Sequence, residues 1–236
     1  MRIGLGFFCS TSDSRLSTNC RLRLTRLNEE KLLQVFNRNL HDFIRLLELS
    51  KIMRLTIFRL GSNFVPFASR PNFEKEWLNY IGTALREKSS LTKSFGIRTT
   101  MHPGQCVILN SDKSSVFEKS LGELEYHFWL LDTIGLGPES IVVVHVGGVC
   151  GDREKATRNL HRVLEENKWL TRRIAIEDDE KYYTVREAIE IAEPFNIPVV
   201  YDHFHQRLNS SKFSVDRLIS TWRGIPPRDT PSTETT

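Results

Sequence analysis

Apolar positions along the chain follow two alternating rhythms. Short, largely apolar runs at Ile3–Cys9, Arg54–Leu60, Ile97–Met101, Ile141–Val144, Arg173–Ile176 and Ile197–Tyr201 read as buried strands. Longer segments between them carry apolar residues at helical spacing; Leu32, Phe36, Leu40, Phe43 and Leu47 mark a helix within Asn28–Ser50. Further helices are predicted within Asn72–Phe95, stopped by Gly96, and over Ser114–Ile134, Arg153–Trp169, Thr184–Phe195 and Ser214–Trp222.

Continuous apolar strands alternating with helices predict a parallel sheet with helices outside. Polar residues collect after each strand, as at the carboxyl face of a (β/α) barrel. The expectation is therefore α/β, a TIM-type (β/α) barrel. A doubly wound sheet is the alternative, but Gly4 and Gly6 lie inside the first strand and leave it without the phosphate-binding turn. Six strand–helix units can be counted where a closed barrel takes eight, so the barrel is expected to be incomplete, its C-terminal units missing. Residues 1–224 are expected to form one domain. Beyond Trp222 the Pro- and Thr-rich composition predicts an irregular or disordered tail over 225–236. Six parallel strands also leave two raw edges that a native fold must cover.

Composition narrows the class. With 39% hydrophobic and 26% charged residues, the 236-residue chain can bury a core and is not generally disordered. The net charge of +4 permits a polyanionic partner without demanding one. Arg2, Arg15, Arg21, Arg23 and Arg26 against Asp13 alone concentrate that charge in residues 1–26, where it suits phosphates, although short basic stretches are commonly just solvated. Four cysteines without a C-x-x-C pair fit reduced thiols in a cytosol-like compartment. No apolar run approaches a membrane span, so a cytoplasmic (nucleoid) or nuclear protein is expected.

The chemistry-bearing residues stand at strand ends: His102, His145, Glu177, and Asp202 with His205. A lone strand-end histidine is more often a hydrogen-bonded structural residue than a ligand. Several imidazoles with a Glu and an Asp at equivalent ends are harder to explain as packing, because burying them without a cation is costly. Nitrogen and oxygen donors without thiolate favour Zn²⁺ or Mn²⁺, with Co or Fe as further candidates. Glu177 is the natural bridging carboxylate for paired ions, which would activate water for phosphoryl transfer. His203 would point to the opposite side of its strand, if that strand continues, and so reads as structural. Gln105 and Cys106, projecting from a Pro-Gly turn, and Arg59, Ser62, Asn19 and Arg21 suit a nucleic-acid substrate; each also reads as ordinary loop polarity.

The sequence resembles the ultraviolet damage endonucleases, metal-dependent barrels related to endonuclease IV. The matching stretches are Ser17-Thr18-Asn19 with Arg21-Leu22-Arg23-Leu24, Phe58-Arg59-Leu60-Gly61-Ser62, Pro66-Phe67-Ala68-Ser69, Met101-His102-Pro103-Gly104-Gln105, Val144-His145-Val146-Gly147-Gly148, Ile176-Glu177-Asp178-Asp179-Glu180 and Asp202-His203-Phe204-His205. The resemblance implies a DNA-repair endonuclease that nicks duplex DNA 5′ to ultraviolet photoproducts with two or three divalent ions. By it, His102, His145, Glu177, Asp202 and His205 are metal ligands, Glu177, His145 and Asp202 are central to catalysis, and Gln105 and Cys106 probe the lesion. The chain departs from the family where Cys106 replaces an aromatic, Thr11 an Asn and Arg70 a His. Pro227-Arg228-Asp229 stands where the family has Lys and His. The competing expectations are a metal-dependent sugar isomerase or epimerase on the same barrel, and a non-catalytic DNA-binding remnant.

Overall fold

The computed structural model describes residues 4–104, 106–149 and 151–223. They fall into two compact units, one of residues 4–102 with 126–140, the other of residues 103–125 with 141–223. The architecture is α/β, parallel strands alternating with helices in chain order, and it is that of an incomplete (β/α) barrel. The expected tail at 225–236 lies outside the described residues.

In the first unit β1 (Gly6–Phe7), β2 (Ile57–Leu60) and β3 (Arg98–Met101) are parallel, with Phe7 opposite Phe58 and Leu60 opposite Met101. Strand β1 is much shorter than the predicted Ile3–Cys9. Glycines at 4 and 6 weaken a strand interior, and the chain then folds back through a Ser10–Ser17 bridge. Helix α1 (Glu29–Ile52) starts at Asn28, whose side chain accepts from Lys31 N at 2.9 Å. It buries Leu32, Phe36, Phe43 and Leu46, with the Phe43 ring 5.6 Å from Phe58 and 5.8 Å from Phe64. The same face buries two polar side chains that an apolar periodicity passes over. Asn39 accepts from Cys20 N at 3.0 Å and donates to the carbonyls of Asn63 and Phe64 at 3.1 and 3.0 Å, while Asp42 accepts from Ser17 N at 3.1 Å. Asn39 thereby pins the loops that leave β1 and β2, and Asp42 the first of them. Helix α2 (Lys75–Ser94) ends as predicted, with Gly96 at φ +67°. Helix α3 (Ser114–Thr133), whose residues are divided between the two units, lies within a residue of its predicted span.

In the second unit β4 (Val142–His145), β5 (Ile174–Glu177) and β6 (Val199–Val200) are parallel, with His145 opposite Glu177 and Glu177 opposite Val200. Ile141, Val143 and Ala175 form a buried cluster against which Val200 and Trp222 pack. Helices α4 (Arg153–Glu166) and α5 (Val185–Ala192) open with Asp152 and Thr184 as N-caps, the latter in a reciprocal capping box with Glu187. The predicted strand Ile197–Tyr201 stops at Val200. Asp202 caps a short helix, α6 (His203–Leu208), before α7 (Val215–Ser220). Strand alternation therefore does not govern His203. It is the exposed first residue of α6, its Nδ1 3.2 Å from the Tyr201 hydroxyl. The outer edge of β6 is covered from within the chain: Val199 N donates to Thr221 Oγ1 at 3.0 Å, and Trp222 Nε1 donates to Val199 O at 2.7 Å. Among the described residues no helix is long and apolar enough to cross a membrane.

Candidate metal centre

His145 and Glu177 are the last residues of β4 and β5 and stand opposite each other in register. Opposite residues of parallel strands share a face, so both side chains leave the sheet together. His145 Nε2 lies 3.6 Å from Glu177 Oε2, and Glu177 is only 4% exposed. The backbone carbonyl of Asp178 accepts from His205 Nδ1 at 2.8 Å and from His145 Nδ1 at 3.3 Å. A carbonyl can only accept, so Nδ1 carries a proton in both rings, and Nε2 is the atom of each ring turned toward the carboxylates. The ring centroids are 5.5 Å apart, and His205 Nε2 is 3.7 Å from Glu180 Oε2. Each Nε2 thus stands beside a carboxylate oxygen, a nitrogen and oxygen donor set that suits a divalent cation. Histidines held by Nδ1 on a backbone carbonyl are the usual outer arrangement of metal-ligating imidazoles.

The adjoining acids reinforce the fit. Asp202 Oδ1 accepts from Phe204 N at 2.6 Å and His205 N at 3.2 Å, so the α6 cap also sets His205. The Asp202 amide in turn donates to Asp178 Oδ1 at 3.1 Å. Asp178 is fully buried; desolvation pushes its carboxyl up to about 6, against the opposing pull of the Asp202 amide and His205. Its Oδ2 is buried without a hydrogen-bond partner among the described residues. A cation nearby would relieve that burial. Asp179 accepts from the amides of Lys181 at 2.8 Å, Tyr183 at 3.1 Å and Tyr182, locking the following turn. In the sequence Asp178 and Asp179 stand out as strand-end polarity and within the Ile176–Glu180 motif, with no role attached to either. Asn110 carries no local sequence signal, yet it is buried, donates to Gly148 O at 2.7 Å and holds the turn after His145.

His102 directly follows β3, and its carbonyl accepts from Ser62 Oγ at 2.6 Å. Asn19 Oδ1 accepts from Asn63 N and Asn63 Nδ2, both at 3.0 Å. Gly61 beside it must lack a side chain, because a Cβ there would lie 2.7 Å from Thr18 O. Arg59 is half-buried in β2, Arg21 is exposed, and Cys106 is exposed with a free thiol. Gln105 lies outside the described residues. Within the second unit, His145 and Glu177 each offer a ligand atom that could hold a metal ion.

The family model of the UV-endonuclease UvdE matches residues 9–229. The chain belongs to this family. A UV DNA damage endonuclease of Bacillus cereus (strain B4264) is 29% identical over 219 residues, covering 91% of this chain and 69% of that protein. One of Clostridium perfringens (strain 13 / Type A) is 29% identical over 224 residues, covering 92% of this chain and 54% of that protein. Among solved structures, the crystal structure of SacUVDE matches with a TM-score of 0.87 at 27% identity, covering 98% of this chain and 84% of the other. A D-psicose 3-epimerase from Clostridium cellulolyticum H10 matches at TM-score 0.52 and 13% identity over 93% of this chain and 69% of that one. This second likeness is one of fold alone. The UvdE match agrees with the ordered motifs, whereas the epimerase reading has no residue-level support.

Proposed function

We propose that this chain is a metal-dependent DNA-repair endonuclease that nicks duplex DNA on the 5′ side of ultraviolet photoproducts. One observation carries the reading: in a chain of the UvdE family, a single carbonyl, that of Asp178, holds two imidazoles by Nδ1 beside a buried glutamate. His102, His145, Glu177, Asp202 and His205 are assigned as ligands, with Glu177, His145 and Asp202 at the centre of catalysis. Their donor atoms suit Mn²⁺ or Zn²⁺, with Co²⁺ a further candidate, as two or three ions in a complete site. Divalent ions bound there supply Lewis-acid stabilisation of phosphate charge and lower the pKa of water.

The chain itself does the positioning. Asp178 O keeps both Nε2 atoms aimed away from the backbone, and Asp202 retains one oxygen after capping α6. Ser62 steadies His102 through its carbonyl, and Asn19 steadies the loop that carries Ser62. Arg21 and Arg59 are assigned to phosphates. Gln105 and Cys106, after the Pro103-Gly104 turn, are assigned to the lesion. A thiol cannot stack as an aromatic does, so discrimination falls more on the ease with which damaged DNA deforms and yields its bases. The assigned partner is double-stranded DNA, which places the protein in the nucleoid or nucleus.

Incubation with an ultraviolet-irradiated duplex tests the reading. Nicks 5′ to photoproducts are expected, abolished by chelator and restored by Mn²⁺. Retained binding with no nick under any divalent ion would defeat it in favour of a DNA-binding protein.

A further inference from the structure

Alongside the candidate metal centre the second unit has an open cavity of about 210 Å³, with His145 and Glu180 among its lining residues. Val107 and Ile108 give it an apolar wall, Gly147 and Gly148 a bare one, and Lys181 and Tyr182 close it from the turn after β5. That turn is rigid: Asp179 accepts from the amides of Lys181, Tyr182 and Tyr183, its own amide donates to Tyr183 O at 2.9 Å, and Asn209 Nδ2 donates to Asp179 O at 3.1 Å. Tyr183 is buried in the core, whereas Tyr182 is half-exposed with the Lys181 ammonium 4.8 Å from its ring centroid. An aromatic face and an exposed cation are thus presented without an ordering cost. The remaining carboxylate on the rim, Glu180, lies 3.7 Å from His205 Nε2 and also acts on the Lys181 ammonium.

Size decides what enters. The cavity is smaller than the roughly 300–1,000 Å³ typical of small-molecule pockets, enough for one planar base but not the two joined bases of a photoproduct. Because it shares His145 with the candidate metal centre, its occupant adjoins the bond that is cut. The damaged pair lies 3′ to that bond, which leaves the nucleotide on the other side. We propose that this cavity takes the single nucleobase 5′ to the scissile phosphodiester, stacked on Tyr182, with Lys181 on the adjoining phosphate. This inference rests on the function proposed above.

Its test is equilibrium binding, by fluorescence anisotropy in chelator, to a short duplex containing one cyclobutane pyrimidine dimer. The same duplex is also measured with the 5′ neighbouring base removed to an abasic site. Tyr182→Ala is expected to weaken binding on the order of tenfold, as for one stacked base, and Tyr182→Phe to restore it. Removing the base should cost wild type a similar factor and cost Tyr182→Ala almost nothing more. Gly148→Leu should reproduce the loss with an unchanged melting temperature, since a Cβ at Gly148 meets no atom within 4 Å. Lys181→Ala should reduce the salt dependence by about one phosphate contact. Losses that multiply, or a wild type indifferent to the missing base, would overturn the cavity's role. Nicking of the dimer duplex with Mn²⁺ separates the two proposals. Nicking with multiplying losses removes the base pocket and leaves the endonuclease, whereas no nicking removes both.

Discussion

Glu177 closes β5 with its carboxylate buried and an imidazole nitrogen 3.6 Å away, so Glu177→Gln changes charge while keeping shape. Nicking is expected to fall by more than the roughly 10–100-fold that outer-shell partners of a metal typically cost. Affinity for irradiated duplex and melting temperature should stay close to wild type. An unfolded Glu177→Gln protein would mark Glu177 as a structural residue instead. Two residues after His145, Gly147 has φ +107°, and an added Cβ would lie 2.5 Å from Asn110 Oδ1. Gly147→Ala therefore combines backbone strain with a collision against a buried side chain. A loss of about 1–3 kcal/mol is expected in thermal or urea unfolding. Gly148→Ala, with open space at its Cβ, should unfold like wild type.

At the scale of elements, the end of β6 shows how the fold handles an unpaired strand. Its outward N–H and C=O at Val199 are taken by the Thr221 hydroxyl and the Trp222 indole. Two side chains from the residues after α7 do the work of a neighbouring strand, which blunts an edge that would otherwise recruit another chain. Trp222→Phe keeps the apolar packing against Ile141, Val143 and Ala175 but leaves Val199 O without its donor. About 1 kcal/mol of stability should be lost in urea unfolding, with more aggregation on heating. Helix α5 has only eight residues, too short to persist alone, and depends on its start. Thr184 Oγ1 and the Glu187 carboxylate satisfy each other's backbone amides there. Thr184→Ala should cost about 1 kcal/mol by the same measurement.

For the molecule as a whole, the decisive quantity is its metal content. A chain of the UvdE family with two imidazoles, Glu177 and Asp202 arranged around Asp178 is expected to hold divalent ions through purification in Mn²⁺. Elemental analysis should find at least one ion per chain, and His145→Ala should lower that number. Metal-free protein that still folds would overturn the ligand assignment and favour a DNA-binding remnant. The chain matches 69% of the length of its Bacillus cereus relative, so the count itself shows how full a cluster these residues support.

The order of strands and helices was readable because strands buried on both faces become unbroken apolar runs, as in Val142-Val143-Val144 and Ile174-Ala175-Ile176. The candidate ligands were readable because charge and imidazole stand out where such runs stop. These are local properties of the chain. What stayed hidden were polar residues acting at a distance: Asn39 binding a backbone 19 and 25 positions away, Asp178 joined to Asp202 across 24, and Asn110 to Gly148 across 38. Side-chain period reports which face is buried, not which remote amide or carbonyl will be waiting there. Asp202 shows the boundary between the two. Its position after an apolar run could be read from sequence, but only folding, by bringing the Asp178 carboxylate to its amide and the α6 amides to its own oxygen, decided that the strand ends there and a helix begins.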